Sequence, residues 1–555
     1  MAFTVPQILG SYEQRGAYRN QKEAFLAFLG YSVGLGNFWR FPYLCAKYKG
    51  ATFLIPYFVA LVIIGLPLYF LEMALGQYLS IGPTHVFCSI SPGFCGVGWA
   101  MVLVLMLETI YYNIGIAWTL FYTVSSFQAR LPWCNNTDCS KVENHYKAAA
   151  LYFNQSVLGE GRQHDSEINV LLLLCLGVAW CLLAAVIARG IGSLGKVLYI
   201  TIGVAYITLP MLLVASYANS DGTKWVESII QYMSVDTDNL LKGSIWSEAA
   251  TQVMYSLGLA HAGIQTLASY NTFRHNILRD AVLLVLLDTA TSILCTLVMF
   301  SSLASIGEDL PTEEQELTQL LFVVFPALLS KINTIPWPTI VFCMIFSFGF
   351  NSQFVMVETI TTALFDQFHV LRHWHVPVVV GTCSALFLLG IPLCMRGGIK
   401  FFQFLDKNIT AHSFLFLGLL EVIVASYVYG LNNLMDLIRN RMKVSVCAPF
   451  YWYFRLMYLV VTPLFMLVCL IYSWYDRVGN DDPWEVFGIM VALYPFVIVA
   501  AGVVYAVVKN WNKGLASLLV ATKDFCPEYE RRERAAGPQT FELQVPTTPQ
   551  LPLGG

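Results

Sequence analysis

Charged residues interrupt several long apolar stretches of this sequence. Among those that lie inside such stretches or at their ends are Arg40, Glu72, Glu108, Asp288, Asp366, Asp406 and Glu421. An ionisable group inside a membrane span is costly and by default functional, usually with a partner nearby. Such groups can bind ions or polar ligands, or they can pair with one another. Glu108 precedes Tyr112 by one helical turn, so both side chains face the same side of a predicted helix.

Glycines interrupt two of the apolar segments at matching places. The first segment reads G-Y-S-V-G-L-G-N-F-W-R-F-P over residues 30–42, and the second reads Q-V-M-Y-S-L-G-L-A-H-A-G over residues 252–263. Paired interruptions are typical of inverted-repeat transporters, in which unwound backbone binds ions and substrate at the bilayer midplane. Close packing of glycines between helices is the alternative. The paired occurrence favours the transporter interpretation.

The composition indicates an exterior that largely faces lipid. Of the 555 residues, 57% are hydrophobic and only 12% are charged, whereas a soluble domain carries about 25% charged residues. With about 20 residues to a span, twelve stretches are long enough: 24–46, 52–79, 98–128, 169–188, 194–217, 247–271, 275–307, 336–366, 375–395, 400–431, 449–473 and 485–509. We predict an all-α polytopic membrane protein with twelve transmembrane helices.

The two interrupted segments divide the predicted chain. Its parts are a cytoplasmic N-terminal segment (1–23), spans 1–5 (24–217), an extracellular loop (218–246), spans 6–10 (247–431), spans 11 and 12 (432–509) and a cytoplasmic tail (510–555). Each five-span block opens on an interrupted helix. This arrangement predicts a five-plus-five inverted repeat with broken first and sixth helices.

The loop 129–168 has the features of an extracellular segment. Cys134 and Cys139 lie close together in C-N-N-T-D-C, and glycosylation sequons begin at Asn135 and Asn154. We predict a disulfide and glycosylation here, which puts both termini in the cytoplasm. Two unpaired thiols beside chance sequons are the alternative. The remaining cysteines are expected to be small apolar packing residues.

Other function classes find little support. A net charge of -3 without a basic stripe argues against a nucleic-acid partner. The sequence holds no G-x-x-x-x-G-K-[ST] phosphate loop and no H-E-x-x-H motif. We therefore expect transport driven by a gradient rather than by ATP hydrolysis, and we do not expect an enzyme.

Three strings of the sequence resemble motifs of the neurotransmitter:sodium symporter family, solute carrier family six. They are V-G-L-G-N-F-W-R-F-P-Y, G-L-P-L-Y-F-L-E-M-A-L-G-Q-Y and A-S-Y-N, and the resemblance runs from Arg15 to about residue 510. It implies a plasma-membrane symporter that couples sodium to amino acids or similar zwitterions by alternating access. A non-transporting accessory or sensor member of the family is the alternative, and the resemblance leaves an accessory subunit open.

The resemblance implies two sodium sites and one chloride site. The first sodium site takes the Ser32 carbonyl with Asn37, Ser256 and Asp288. The second takes the carbonyls of Gly30, Val33 and Phe348 with the side chains of Asn351 and Ser352. The chloride site takes Tyr57, Gln252, Ser256 and Ser292. Both sodium sets supply oxygen ligands, which a hard cation without its water shell requires.

The resemblance also implies a substrate pocket. Its residues are Tyr31, Gly34, Glu108, Tyr112, Tyr255, Leu257, Gly258 and His261. Monoamine carriers of the family have an aspartate at the position of Gly34. Glycine there implies room for a substrate carboxylate that reaches the first sodium ion and accepts a hydrogen bond from Tyr112.

Two gates follow from the same resemblance. The outer gate pairs Arg40 with Asp406, and Tyr255 is its aromatic lid. The inner gate pairs Arg15 with Asp366, backed by Tyr270, and Tyr18 stands at the family's inner tryptophan position.

Asp288 departs from the family pattern, which has asparagine at this position. A carboxylate can itself supply the negative charge that chloride provides. We therefore expect chloride-independent or weakly chloride-dependent transport. A protonated Asp288 that imitates asparagine is the alternative.

Two further departures concern the pocket walls. Glu108 and His261 replace an apolar and an aromatic residue, and they predict either recognition of a polar or cationic substrate side chain or a mutual pair.

Ala260 and Ala262 stand where the family favours glycine and should stiffen the unwound segment, because alanine disfavours left-handed conformations. The carboxylates Glu72 and Glu421 match family positions and are expected to be hydrogen-bonded supports.

Overall fold

The computed structural model is a bundle of helices. It describes residues 18, 20–128, 130–134, 139, 144–159, 167–307, 320–332, 336–478, 483–528 and 530–531. The first half contains α1 (Gln21–Ser32), α2 (Phe41–Lys47), α3 (Ala51–Ala60), α4 (Leu66–Leu79), α5 (Pro83–Ile90), α6 (Cys95–Ser125), α7 (His145–Tyr152), α8 (Val170–Ile187), α9 (Ile191–Ala218), α10 (Gly222–Tyr232) and α11 (Thr237–Leu240). The second half contains α12 (Gly243–Leu257), α13 (Gly263–Ala268), α14 (Ile277–Ile306), α15 (Leu320–Ile332), α16 (Trp337–Gln367), α17 (His375–Gly390), α18 (Gly398–Ile423), α19 (Leu431–Asp436), α20 (Ala448–Leu456), α21 (Thr462–Val478) and α22 (Pro483–Lys509).

Ten helical segments of the described residues are long and apolar enough to cross a membrane. They are Ala51–Leu79, Pro92–Ser125, Val170–Ile187, Val197–Ala218, Ile277–Ile306, Trp337–Gln367, His369–Cys394, Gly398–Val428, Ala448–Tyr475 and Val486–Lys509. They coincide with predicted spans 2–5 and 7–12. Predicted spans 1 and 6 are the broken helices α1–α2 and α12–α13. The prediction of an all-α polytopic membrane protein is confirmed, whereas the division into inverted repeats stays a prediction.

Asparagine side chains begin several of these helices. Asn20 accepts from the backbone N–H of Glu23 at α1, and Asn169 accepts from that of Leu172 at α8. Each amide oxygen satisfies one of the N–H groups that have no partner in the first turn of a helix. These caps begin the first and the fourth spans at a defined residue.

The second span unwinds locally at Leu61–Gly65, where a π-helical turn joins α3 to α4. Pro67 lacks the N–H that would bond the Ile63 carbonyl. The Thr462 hydroxyl donates to that carbonyl at 2.5 Å, and the Tyr453 hydroxyl donates to the Val62 carbonyl at 2.5 Å. The eleventh span thereby satisfies backbone groups that lipid could not.

The two broken helices lie in the interior of the bundle. The buried helix α16 packs against α6, α1 and α13, and α14 packs against α1 and α2. Most residues of α1 after Leu26 and all of α13 are buried. The breaks are therefore enclosed by protein, which is where irregular backbone is tolerated at membrane depth.

Candidate substrate and ion site

The break in the sixth span is built from left-handed residues. Gly258, whose φ is +68°, caps the C-terminal end of α12, and the chain turns again at Ala260 (φ +60°) and Ala262 (φ +65°) before α13 begins. Glycine adopts such angles freely, whereas an alanine pays about 1–2 kcal/mol. The segment is unwound as predicted, and the two alanines take the conformation that alanine disfavours.

Two buried carboxyl groups hold this break in place. Glu72 accepts a hydrogen bond from the Ala260 N–H at 2.7 Å, and Glu421 accepts one from the Gln265 side chain at 2.6 Å. Both carboxyl side chains are fully buried. Their predicted role as hydrogen-bonded supports agrees with these contacts.

A cluster of polar side chains joins the two broken helices to α14. The Asn37 side-chain nitrogen lies 2.6 Å from Asp288 Oδ1, 3.1 Å from Ser256 Oγ and 2.9 Å from Ser292 Oγ. Ser256 Oγ lies 3.0 Å from both carboxyl oxygens of Asp288. The Asn37 amide oxygen accepts from the Gly34 N–H at 2.9 Å. The structure thus brings together the three side chains predicted for the first sodium ion.

The residues predicted for chloride adjoin the same cluster. Ser256 and Ser292 belong to it, and the Gln252 side chain donates to the Gly36 carbonyl at 3.3 Å. The Tyr57 hydroxyl and the Gln252 Oε1 atom are buried and have no hydrogen-bond partner among the described residues. The donor set of carboxylate, hydroxyl and amide oxygens suits a hard cation, and the Tyr57 hydroxyl and the serines are donors that suit an anion.

The residues predicted for the second sodium ion lie where α16 passes the break in the first span. Ser352 Oγ donates to the Tyr31 carbonyl at 3.0 Å and to the Gly30 carbonyl at 3.5 Å. Asn351, in contrast, accepts from the Thr201 hydroxyl of α9 at 2.9 Å. Sequence reasoning missed Thr201, since nothing in the apolar run of α9 distinguishes it.

Gly34 faces the hydroxyl groups of two pocket residues. A Cβ atom built at this position would lie 2.3 Å from Ser352 Oγ and 2.9 Å from the Tyr112 hydroxyl. The Tyr112 hydroxyl accepts from the Leu35 N–H at 3.1 Å and keeps its own proton for another acceptor. The hydroxyl groups of Ser352 and Tyr112 therefore pack directly against Gly34, and the room for a substrate carboxylate that the resemblance implied is filled by them.

The other pocket residues enclose Glu108 and His261. Each of the two is only 1% exposed, and His261 Nε2 lies 3.8 Å from Glu108 Oε2. The His261 ring packs against Phe414 with the ring centroids 3.8 Å apart. The Tyr31 ring fills the space beside Gly258 and Gly263, where an added Cβ would lie 2.3 and 2.4 Å from it. Leu257, the last residue of α12, is fully buried at the same break.

The outer pair is formed. Arg40 Nη1 donates to both carboxylate oxygens of Asp406, at 3.1 and 3.2 Å, and its guanidinium lies 4.9 Å from the Tyr255 ring centroid. Tyr111, which sequence reasoning missed, also donates to Asp406 at 3.3 Å. All four residues line a cavity of about 1310 Å³.

A second ion pair lines the same cavity. Lys47 at the end of α2 contacts Glu248 of α12 at 3.0 Å. This pair joins α2 of the first broken helix to α12 of the second.

The inner pair is only partly described. Asp366 accepts from Arg372 at 2.8 Å and from the Gly82 N–H at 2.6 Å, and its predicted partner Arg15 lies outside the described residues. His85 Nε2 lies 3.1 Å from the Asp366 carbonyl, and burial lowers the pKa of this histidine.

Tyr270 links α13 to α16 beside this inner pair. Its hydroxyl donates to Glu358 at 3.0 Å and lies 2.9 Å from the Thr362 hydroxyl. The Tyr18 ring meets the Tyr270 ring edge-on with the centroids 6.2 Å apart. Sequence reasoning missed Glu358, although a carboxylate within the eighth span was a signal for it.

The cysteines agree in part with the sequence analysis. The Cys134–Cys139 disulfide is confirmed. Cys88, in the last turn of α5, and Cys95, the first residue of α6, form a second disulfide. The expectation that all other cysteines are packing residues was therefore wrong, because the turn at 91–94 brings these two thiols together. Asn135 lies outside the described residues, and glycosylation at Asn154 stays a prediction.

Known proteins resemble this chain along most of its length. The model of the sodium:neurotransmitter symporter family matches residues 15–510. The sodium- and chloride-dependent neutral and basic amino acid transporter B(0+) of Homo sapiens is 33% identical over 477 residues, which are 76% of this chain and 74% of that protein. The sodium- and chloride-dependent glycine transporter 2 of Xenopus laevis is 32% identical over 480 residues, or 76% of this chain and 60% of that protein. The sodium- and chloride-dependent glycine transporter 1 of the same frog is 33% identical over 460 residues, or 75% and 72%.

The family and these relatives are transporters, as the sequence analysis predicted, and not enzymes. They also favour sodium-coupled symport of amino acids over the alternative of a non-transporting relative. A family match over residues 15–510 covers nearly all of the 555 residues. This chain belongs to the sodium:neurotransmitter symporter family.

Proposed function

We propose that this protein is a plasma-membrane symporter that couples sodium entry to uptake of an amino acid or similar zwitterion, with both termini in the cytoplasm. The observation that carries the proposal is the buried cluster of Asn37, Ser256 and Asp288 at the crossing of two broken helices. An ionised carboxylate that is fully buried is stabilised by a compensating cation, and sodium coordinated by these oxygens would supply it.

The sodium ligands follow from the two breaks. For the first ion we propose the Ser32 carbonyl, Asn37, Ser256 and Asp288. For the second we propose the carbonyls of Gly30, Val33 and Phe348 with Ser352 and Asn351. Ser352 already bonds backbone carbonyls of the first break, which supports this second set. The Asn351 oxygen accepts one hydrogen bond from Thr201 and keeps a second lone pair for an ion.

The substrate carboxylate is proposed to bind next to Gly34 after the hydroxyl groups of Tyr112 and Ser352, which pack against this glycine, have moved away from it. The hydroxyl groups that surround Gly34 can donate to a carboxylate, and the first sodium ion would lie next to it. An aspartate at this position would repel that carboxylate. The names of the relatives include glycine carriers and a carrier of neutral and basic amino acids, so the family alone leaves the side-chain class of the substrate open.

Chloride dependence is proposed to be weak. Asp288 lies within hydrogen-bond distance of Ser256, and Asn37 contacts both Asp288 and Ser292. The Asp288 carboxylate therefore lies next to the proposed chloride ligands, which are Tyr57, Gln252, Ser256 and Ser292. A carboxylate and a chloride ion at this separation would repel each other strongly in a buried site.

Alternating access is proposed to use the two ion pairs. Arg40 and Asp406 close the outer side, under the ring of Tyr255, and Asp366 closes the inner side with Arg15. Partly exposed pairs contribute about 0.2–1 kcal/mol each. They therefore bias the two states without locking either one.

The sodium gradient supplies enough free energy for such uptake. Each sodium ion gains about 2.3 kcal/mol from 100 mV of membrane potential and about 1.4 kcal/mol from a tenfold gradient. Their sum, about 3.7 kcal/mol, corresponds to roughly 500-fold accumulation of a zwitterion.

The test is a radiolabelled amino-acid panel in oocytes that express the full chain, with sodium replaced by choline and, separately, chloride replaced by gluconate. We expect uptake that is lost without sodium and largely kept without chloride. Absence of sodium-dependent uptake of every amino acid, with the protein present at the cell surface, would refute the proposed symport. Full loss in gluconate would refute the role of Asp288.

A further inference from the structure

Glu108 and His261 are buried polar side chains that do not satisfy each other. Their nearest atoms, Glu108 Oε2 and His261 Nε2, are 3.8 Å apart, which is beyond hydrogen-bond distance. Neither atom has another hydrogen-bond partner among the residues described, and the same holds for His261 Nδ1 and the Tyr31 hydroxyl. Leaving buried polar atoms unpaired is costly, and carboxylates are the most costly of them.

A structural pair would look different, as another pair in the same chain demonstrates. His275 and Asp280 meet at 2.6 Å, near the start of α14, and so satisfy each other. Glu108 and His261 face each other from α6 and from the break after α12 without such a bond. Four unpaired polar atoms at one break indicate that a ligand group belongs there.

The charge of the pocket favours a cation as that group. Arg40 is engaged with Asp406, and the cluster beside the pocket contains the additional carboxylate Asp288. An ionised Glu108 would add negative charge that sodium binding at Asp288 does not offset. A neutral aliphatic side chain in this place would leave Glu108 buried without any compensation.

The spacing also suits a basic amino acid. Tyr112, which faces the proposed carboxylate position, and Glu108 are one helical turn apart on α6, about 6 Å along the axis. A lysine carries its ammonium group on a four-carbon stem, a comparable reach. With the carboxylate at Tyr112, the ammonium can reach Glu108, while the unpaired atoms of His261 and Tyr31 are left to bond the substrate's remaining polar groups.

We infer that Glu108, with His261 opposite, is the specificity residue for a cationic side chain, so that the preferred substrates are basic amino acids such as lysine or ornithine. This inference rests on the proposed symport function. A site built around a hydrogen bond rejects an analogue that lacks the group by about 10⁴–10⁵-fold in favourable cases. For a flexible side chain we expect at least about 100-fold preference for lysine over norleucine, its uncharged analogue.

The experiment compares sodium-dependent uptake of lysine and norleucine by the unmodified protein, Glu108→Gln and Glu227→Gln. Glu227 lies on the exposed face of α10 and provides the same chemical change away from the site. We expect Glu108→Gln to lower lysine uptake efficiency about 100-fold and to leave norleucine within a few-fold, while Glu227→Gln changes neither. Surface labelling accompanies each measurement.

A second measurement needs no variant. The charge moved per substrate molecule is recorded under voltage clamp and should be larger by one elementary charge for lysine than for norleucine. Equal uptake of the two substrates by the unmodified protein would overturn the inference while leaving symport intact. Loss of both substrates to the same degree in Glu108→Gln, at normal surface level, would also overturn it. Absence of any sodium-dependent uptake would instead overturn the proposed function.

Discussion

The replacement of Asp288 by asparagine tests the chemistry of the ion cluster most directly. The carboxylate lies 2.6 Å from the Asn37 nitrogen and 3.0 Å from Ser256 Oγ, and the side chain is fully buried. At an effective dielectric constant of about 20, two unit charges about 4 Å apart attract by about 4 kcal/mol. Asp288→Asn removes that attraction between the cluster and a sodium ion while keeping the size of the side chain.

We therefore expect Asp288→Asn to weaken sodium binding about 1000-fold in chloride-free medium, since 4 kcal/mol is nearly three factors of ten. Chloride should restore most of this loss, because an anion can then enter beside Tyr57 and Ser292 without meeting the carboxylate. The assay is the sodium concentration for half-maximal uptake of the best substrate, measured in chloride and in gluconate.

The control is Asp238→Asn, which makes the same change at an exposed position of α11. It should alter neither the sodium requirement nor the response to chloride. If Asp288→Asn keeps its sodium half-saturation in gluconate, the carboxyl group contributes no charge to the cluster, as a protonated Asp288 would behave. Asp288 would then not attract the sodium ion electrostatically.

Three further changes test the pocket, the break and the outer loop. Gly34→Ala should reduce uptake at least tenfold at normal surface level, because its Cβ would lie 2.3 Å from Ser352 Oγ and 2.9 Å from the Tyr112 hydroxyl. Unchanged uptake would contradict the close packing of these hydroxyl groups against Gly34. Ala262→Gly should stabilise the purified protein by about 1 kcal/mol by relieving a φ of +65°, and an unchanged or lower melting temperature would count against that strain. Cys134→Ser should lower the free energy of unfolding by about 2 kcal/mol, as the loop-entropy model of a disulfide predicts. The measurement is thermal melting of this variant and of the unmodified protein, and equal melting temperatures would contradict the predicted loss of stability.

The sequence permits prediction of features that depend on local composition. The apolar runs predict the ten unbroken spans, and glycines at 30–36 and 258–263 predict the two breaks. Ser256 and Asp288, the partners of Asn37, are 219 and 251 residues away along the chain. Local sequence does not connect them, and only the resemblance to the family predicts that they lie together. The distant contacts confirm that those three side chains meet.

Features that depend on how helices rotate against each other escaped prediction. Asn351 turns toward Thr201 of α9, and Tyr111 adds a third partner to the outer ion pair. Both contacts depend on how each helix is rotated about its own axis, and a sequence that is apolar on all sides specifies this rotation weakly. The Cys88–Cys95 bond depends on a four-residue turn, and the composition of this turn does not reveal its geometry.

The bond between Thr462 and the Ile63 carbonyl has a consequence for how the protein is made. Thr462 follows Ile63 by 399 residues, and at about 5–20 residues per second it is synthesised roughly 20–80 s later. During that interval the second span is already in the membrane, yet the carbonyl that Pro67 leaves open has no hydroxyl from the eleventh span. Until then only water or another polar group can donate to this carbonyl from outside the second span, so that span reaches its final bonded state only after the eleventh span has been made.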